Sequence, residues 1–118
     1  MIDTVSSTIE YKGKKFKLVF NLNVMEALQD KYGSLDKWGE LTDGSQGEPD
    51  IKALKFGFTE MLNEGIEIDN EDNGTNEPLL TSKQVGRIIT EAGLDNVQKK
   101  MNEVVIASAG DTNPNPNE

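Results

Sequence analysis

The sequence contains no cysteine and no histidine among its 118 residues. The absence of cysteine excludes a disulfide framework and a thiolate nucleophile. Because histidine is absent as well, the usual zinc sites with cysteine or histidine ligands are excluded. Histidine is also the usual general base near neutral pH. We therefore predict no cofactor, no metal site and no enzymatic activity.

Hydrophobic residues are also scarce, at 35% of the chain, and aromatic residues make up only 6%. No apolar run approaches the ~20 residues of a membrane-spanning helix. The first seven residues lack the basic and hydrophobic regions of a secretory signal. With a length typical of one domain, these features predict a soluble intracellular protein with a modest core and no membrane partner.

Basic residues are outnumbered, with 12 against 21 acids, which gives a net charge of −9. This balance argues against nucleic acid as a partner. Acids are densest over residues 63–78, which hold six acids and no base. We predict that this segment is an exposed, flexible acidic loop. It does not fit an EF-hand: with Gly74 at the sixth position, Leu80 takes the twelfth, which needs a glutamate.

Apolar and polar residues alternate on both sides of Gly13, which predicts an N-terminal β-hairpin with one apolar face. Two strands alone are marginal in water, so this face must rest on helices. A first helix is predicted from a capping box of Asn23 and Glu26. A short second helix follows Ser34, and Pro49 opens a third helix that ends near Gly65.

After the acidic segment, Thr81 and Gln84 predict the capping box of a fourth helix. Gly93 separates it from a last helix. Residues 111–118 contain two prolines and no apolar residue, which predicts a disordered tail. The predicted fold is thus α+β and mainly α, with an N-terminal β-hairpin packed on about five helices. The acidic loop precedes a C-terminal helical hairpin, all within one domain over residues 1–110.

A basic cluster in the hairpin includes Lys14, Lys15 and Lys17. It is either a charged edge strand that discourages aggregation, or a contact for an acidic surface such as residues 63–78 of a neighbouring copy. The last two helices could also form a helix-turn-helix. Residues 81–118 carry four bases and five acids, hence −1, which gives little attraction to phosphate.

Two apolar side chains fall off the apolar faces of their helices. Phe56 lies roughly 160–170° from the centre of the apolar arc of the third helix, and Ile106 is similarly displaced on the last helix. They belong either to a core that buries both sides or to a second surface for oligomer or partner contact. Met61 and Met101 lie on apolar faces, where the adaptable thioether suits core packing or contact with varied partner helices.

Two stretches of the chain resemble the tail assembly chaperones of long, non-contractile-tailed bacteriophages and related prophages, especially those of Gram-positive hosts. They are YKGKKFKLVFNLNVMEALQDKYGSLDKW (11–38) and EPLLTSKQVGRIITEAGLDNVQKKMNEVVIASAG (77–110). The resemblance lies in hydrophobic spacing and turn residues and covers most of residues 9–110. The acidic segment 63–78 departs from the family pattern, and no role for it is carried over.

The resemblance implies a non-catalytic scaffold in the host cell cytoplasm that is absent from the mature virion. Such chaperones bind the long helical tape measure protein, keep it soluble and help recruit tail tube subunits. They self-associate, and in many members a ribosomal frameshift near the end of the gene yields a longer form that recruits the tube protein. Two alternatives stay open: a structural tail component such as a tube or connector subunit, and a small helical nucleic-acid-binding regulator.

Overall fold

The computed structural model of the chain describes residues 6–45 and 47–112. Within these ranges, a two-stranded antiparallel hairpin precedes five helices, so the predicted mainly helical α+β class is confirmed. None of the described helices is long and apolar enough to cross a membrane. The elements are β1 (Ser6–Tyr11), β2 (Lys14–Val19), α1 (Leu22–Tyr32), α2 (Leu35–Thr42), α3 (Ile51–Asn73), α4 (Ser82–Ala92) and α5 (Leu94–Thr112).

The hairpin closes through a two-residue turn at Lys12 and Gly13. Both residues have positive φ, 52° and 77°, as the type I′ turn requires. The register pairs Ile9 with Phe16, and both side chains are buried. As predicted, one face of the hairpin is apolar and packs on the helices.

One contiguous core contains residues from both strands and all five helices. Its largest fully buried side chains include Leu18, Leu28, Leu54, Phe58, Met61, Leu62, Ile88 and Met101. Met61 and Met101 are 0% and 2% exposed. Of the two roles predicted for them, their side chains therefore have the first, core packing, and they do not lie on a surface where they could contact a partner.

The longest helix differs most from its prediction. α3 continues past Gly65 to Asn73, where Gly74 ends it in a left-handed conformation. Gly65 is buried within the helix, and a Cβ at this position would lie 2.5 Å from the carbonyl oxygen of Lys17. The glycine therefore allows α3 to approach β2 closely. The predicted acidic loop over 63–78 is wrong as far as Asn73, because that part is helical.

Two asparagines of α3 hold the stretch that follows the helix. The side chain of Asn63 donates to the carbonyl oxygen of Leu80 (3.0 Å) and accepts from its N–H (2.8 Å). The side chain of Asn70 forms the same pair of bonds with Glu77, at 3.0 Å each. Because the asparagines lie about two helical turns apart, they hold the segment from Gly74 to Leu80 along α3.

Replacing Asn63 by alanine is expected to destabilise the protein by about 1–3 kcal/mol, because the half-buried N–H and carbonyl groups of Leu80 lose their partners. Urea unfolding measures this difference. Asn96→Ala is the matched control, because Asn96 is exposed on α5. If both variants unfold at the wild-type midpoint, the asparagine pairing does not stabilise the segment.

The helix starts agree with the sequence in part. The α4 capping box is confirmed, since Gln84 N–H donates to Thr81 Oγ1 (3.1 Å) and Thr81 N–H donates to Gln84 Oε1 (2.8 Å). α1 is capped by Asn21, whose Oδ1 accepts from the Val24 N–H, so the predicted capping box at Asn23 is wrong. Asn23 instead donates to Glu64 (3.0 Å).

Two boundaries also shift by a few residues. The N-cap of α3 is Asp50, one residue after the proline that was expected to open the helix. α5 runs to Thr112 and so includes the first two residues of the predicted tail. The rest of that predicted tail, residues 113–118, lies outside the described residues.

Candidate partner-binding groove

An apolar groove of about 600 Å³ lies between the start of α1, the helix α2 and the C-terminal part of α5. We call it the α2 groove. Its apolar lining consists of Phe20, Met25, Leu35, Trp38 and Val105. Phe20 and Trp38 are buried and form the floor, whereas the other three are half-buried and present part of their surface.

The floor of the groove is fixed by contacts with two helices, α3 and α5. The indole Nε1–H of Trp38 donates to the carbonyl oxygen of Ala53 (3.0 Å), and its ring packs against the backbone of α3 at Gly57. The hydroxyl of Ser108 donates to the carbonyl oxygen of Phe20 (3.3 Å), which joins α5 to the end of β2. The groove is therefore preformed in the folded chain.

Three acids line the α2 groove, namely Asp36, Glu40 and Asp43, and among the described residues no base lines it. The backbone N–H of Ser45 donates to Asp43 Oδ1 (2.8 Å), and this bond lowers the pKa of Asp43. The carboxylate therefore stays ionised in mildly acidic solution. An apolar floor with acidic sides suits an amphipathic helix whose apolar stripe is flanked by lysine or arginine.

Phe56 and Ile106, the two apolar residues displaced from the apolar faces of their helices, have different surroundings in the structure. Ile106 is 69% exposed and directly follows Val105 of the α2 groove. Phe56 is half-buried, with its ring edge-to-face on Tyr32 at a centroid distance of 5.9 Å and the ammonium of Lys31 5.0 Å from its centroid. α1 thus covers part of this side of α3, and Phe56 packs there against the core. The contact role predicted for its exposed part stays a prediction.

The lysine cluster finds acidic partners within its own chain. Lys14 pairs with Glu77 (3.0 Å) and Lys17 with Asp69 (2.8 Å), while Lys15 is exposed. Exposed pairs of this kind contribute little, about 0–1 kcal/mol each. Lys14 and Lys17 therefore pair with residues 63–78 of the same molecule, where a contact with this segment of a neighbouring copy was one of the two predictions.

The short helix predicted after Ser34 includes Leu35 and Trp38, but the sequence did not indicate that they form a site with Phe20, Met25 and Val105. The available signal was the single tryptophan of the chain beside acids in a helix of only eight residues. A helix this short cannot bury a tryptophan by itself. The side chains that meet it come from other elements, so their identity needed the fold.

A row of acids on α3 produces one further electrostatic effect. Desolvation raises the pKa of Glu60, and the negative charges of Glu67 and Glu64 raise it further. The folded protein therefore binds the proton of Glu60 more tightly than the unfolded chain does. This preference stabilises the fold fully at pH values below the ordinary pKa of 4.5, and the stabilisation is lost as the pH rises through the folded-state pKa.

Replacing Glu60 by glutamine is accordingly expected to stabilise the protein at pH 7 by about 0.5 kcal/mol, since Glu60 is only half-buried. The gain should vanish below the ordinary pKa of glutamate, where Glu60 is already neutral. Urea unfolding at neutral and acidic pH measures both values. Glu103→Gln, at an exposed glutamate of α5, is the control, and an equal gain in both variants would contradict the assignment to Glu60.

No protein-family model, curated protein or solved structure matches this chain. Within the described residues, no group of three or more histidine, cysteine, aspartate or glutamate residues is arranged to hold a metal ion. The kind of partner is indicated by the α2 groove, which is apolar at its floor and acidic at its sides.

Proposed function

We propose that this chain is a phage tail assembly chaperone that binds the tape measure protein and keeps it soluble while the tail is built. The observation that carries the proposal is the α2 groove, whose preformed apolar floor and acidic sides suit an amphipathic helix. The resemblance of residues 11–38 and 77–110 to this family supports the same partner, because a tape measure protein is long and largely helical.

The chemistry of the groove explains how such a chaperone would work. Apolar stripes of a long helical protein aggregate when they are exposed before assembly, and the groove covers a short part of such a stripe. Met25 and Leu35 at its surface adapt to different apolar side chains, methionine most readily. A net charge of −9 on each bound chaperone keeps the coated complex soluble.

The rest of the proposed role follows the family resemblance. The chaperone acts in the host cell cytoplasm, forms homo-oligomers, helps recruit tail tube protein through a longer frameshifted form, and is absent from the mature virion. A tube or connector subunit would need more β-structure than the two six-residue strands of the described residues. The acidity of the chain argues against a nucleic-acid-binding regulator.

Co-expression with the tape measure protein tests the proposal. The wild-type chain is expected to keep the tape measure protein in the soluble fraction and to co-purify with it. Val105→Glu places a charge in the α2 groove, and Ile106→Glu places one on the exposed neighbour. We expect Val105→Glu to lower the co-purified amount by about tenfold or more, since a buried unpaired charge costs over 1.4 kcal/mol, and Ile106→Glu to lower it less.

Ile51→Glu is the matched control, because Ile51 is 55% exposed at the start of α3 and does not line the α2 groove. It should co-purify as the wild type does. Circular dichroism and the thermal midpoint establish that each variant is folded. Equal binding by all variants, or no binding by the wild type, would overturn the proposal.

A further inference from the structure

A second surface of the molecule concentrates positive charge. A cleft of about 700 Å³ lies between the hairpin turn and α4, with Lys12, Lys14 and Arg87 in its lining. An adjoining depression shares Arg87 and adds Lys55 and Lys83. Together these linings hold five of the 12 basic residues but only one of the 21 acids. We call the larger cleft the basic cleft.

The basic cleft also has an apolar floor. Phe16 and Ile88 are 8% and 1% exposed at its base, and Leu79 is 46% exposed at its side. Lys14 is already paired with Glu77, whereas Lys12 and Arg87 make no ion pair within residues 6–45 and 47–112. A ligand that fits this cleft combines an apolar side chain with neighbouring carboxylates.

The chain itself carries such a ligand. Leu22, the first residue of α1, is the most exposed large hydrophobic residue described, at 78%. Its neighbours Asn21 and Asn23 both donate to Glu64 Oε2, at 2.8 and 3.0 Å, which fixes a carboxylate beside it. Glu26 is exposed one helical turn further along α1. We call Leu22 with these two carboxylates the Leu22 knob.

The knob and the cleft lie at opposite ends of β2. The cleft is built around the turn that precedes this strand, and Leu22 follows its far end. Six residues of strand span roughly 20 Å, so a molecule cannot place its own knob in its own cleft.

We propose that the Leu22 knob of one copy docks in the basic cleft of a second copy. Such a contact is heterologous, so each bound molecule still offers one unused knob and one unused cleft, and copies add head to tail. The contact explains the most exposed leucine and the cationic cleft together. The proposal rests on the self-association that is part of the proposed function. It does not involve the α2 groove, so loss of this contact and loss of tape measure binding are distinguished by different variants.

Sedimentation velocity at low ionic strength tests the contact. We expect the wild type to form oligomers that grow with concentration, and we expect their dissociation constant to rise about tenfold or more when salt screens the opposite charges. Leu22→Asp removes the apolar side chain of the knob, and Lys12→Glu with Arg87→Glu reverses the cleft. Since all three residues are exposed, each variant should fold and should sediment as a monomer.

Mixing the two variants distinguishes a head-to-tail contact from any symmetric one. The Leu22→Asp chain keeps an intact cleft, and the cleft variant keeps an intact knob, so an equimolar mixture should form dimers and nothing larger. Ile106→Asp and the double variant Lys37→Glu with Lys99→Glu are matched controls and should assemble as the wild type does. A wild type that is monomeric at ~0.5 mM, or a mixture that stays monomeric, would overturn the proposal.

Discussion

Replacing Gly65 by alanine is expected to destabilise the protein by about 1–3 kcal/mol. The added Cβ would lie 2.5 Å from the carbonyl oxygen of Lys17 and 3.3 Å from its carbonyl carbon. Both atoms belong to the backbone of β2, so no side-chain rotation relieves the overlap, and α3 must move away from the hairpin. The movement opens the core beside Leu18 and Leu62, which are fully buried.

Urea unfolding of Gly65→Ala and Gly39→Ala gives the clearest comparison. Gly39 lies within α2, where an added Cβ meets nothing within 4 Å. Alanine there should stabilise the protein by up to about 1 kcal/mol through helix propensity. The two substitutions are chemically identical and should have opposite signs. If Gly65→Ala stabilises the protein as Gly39→Ala does, the close approach of α3 to β2 is incorrect.

Replacing Gly57 by alanine is expected to have a similarly large effect for a different reason. Its Cβ would lie 2.8 Å from Cε2 and 2.9 Å from Nε1 of the Trp38 indole. The ring is 4% exposed and its Nε1–H is bonded to the carbonyl oxygen of Ala53, so it has little room to move. We expect a loss of about 1–3 kcal/mol and weaker binding of a partner helix, because Trp38 forms the floor of the α2 groove.

A double-mutant cycle with Trp38→Phe tests the cause of that loss. Phenylalanine lacks the indole atoms nearest to Gly57, so it leaves space that the alanine methyl group can occupy. Gly57→Ala should therefore cost at least about 1 kcal/mol less in the Trp38→Phe background than in the wild type. Thermal or urea unfolding of the four proteins measures the coupling. Strict additivity would show that the alanine does not press on the tryptophan.

Much of the fold could be predicted because its signals are local. The hairpin follows from alternation around Gly13, and the α4 start follows from the reciprocal bonds of Thr81 and Gln84. The length of α3 could not be predicted in the same way. A glycine that ends a helix and a glycine that admits a neighbouring strand look alike in sequence, and only the position of β2 distinguishes Gly65 from a terminator.

The candidate site was less predictable because it is made by elements distant in sequence. A helical projection places Phe56 on the polar side of α3, but it cannot show that Tyr32 of α1 covers that side. The projection was informative for Ile106, since no such cover exists there among the described residues. Likewise, the acids of residues 63–78 and the hairpin lysines were each recognised, yet their pairing within one molecule depends on how α3 and the segment that follows it lie against the hairpin.

Hydrogen exchange of the chain alone and in complex with an amphipathic segment of the tape measure protein tests the central claim most directly. Because a docked helix excludes water from the α2 groove, we expect slower exchange over α2 and around Met25 and Val105. The basic cleft, around Arg87, should be unchanged in the same experiment. Protection that spares α2 and Val105, or that spreads evenly over the chain, would contradict the claim that this groove binds the partner helix.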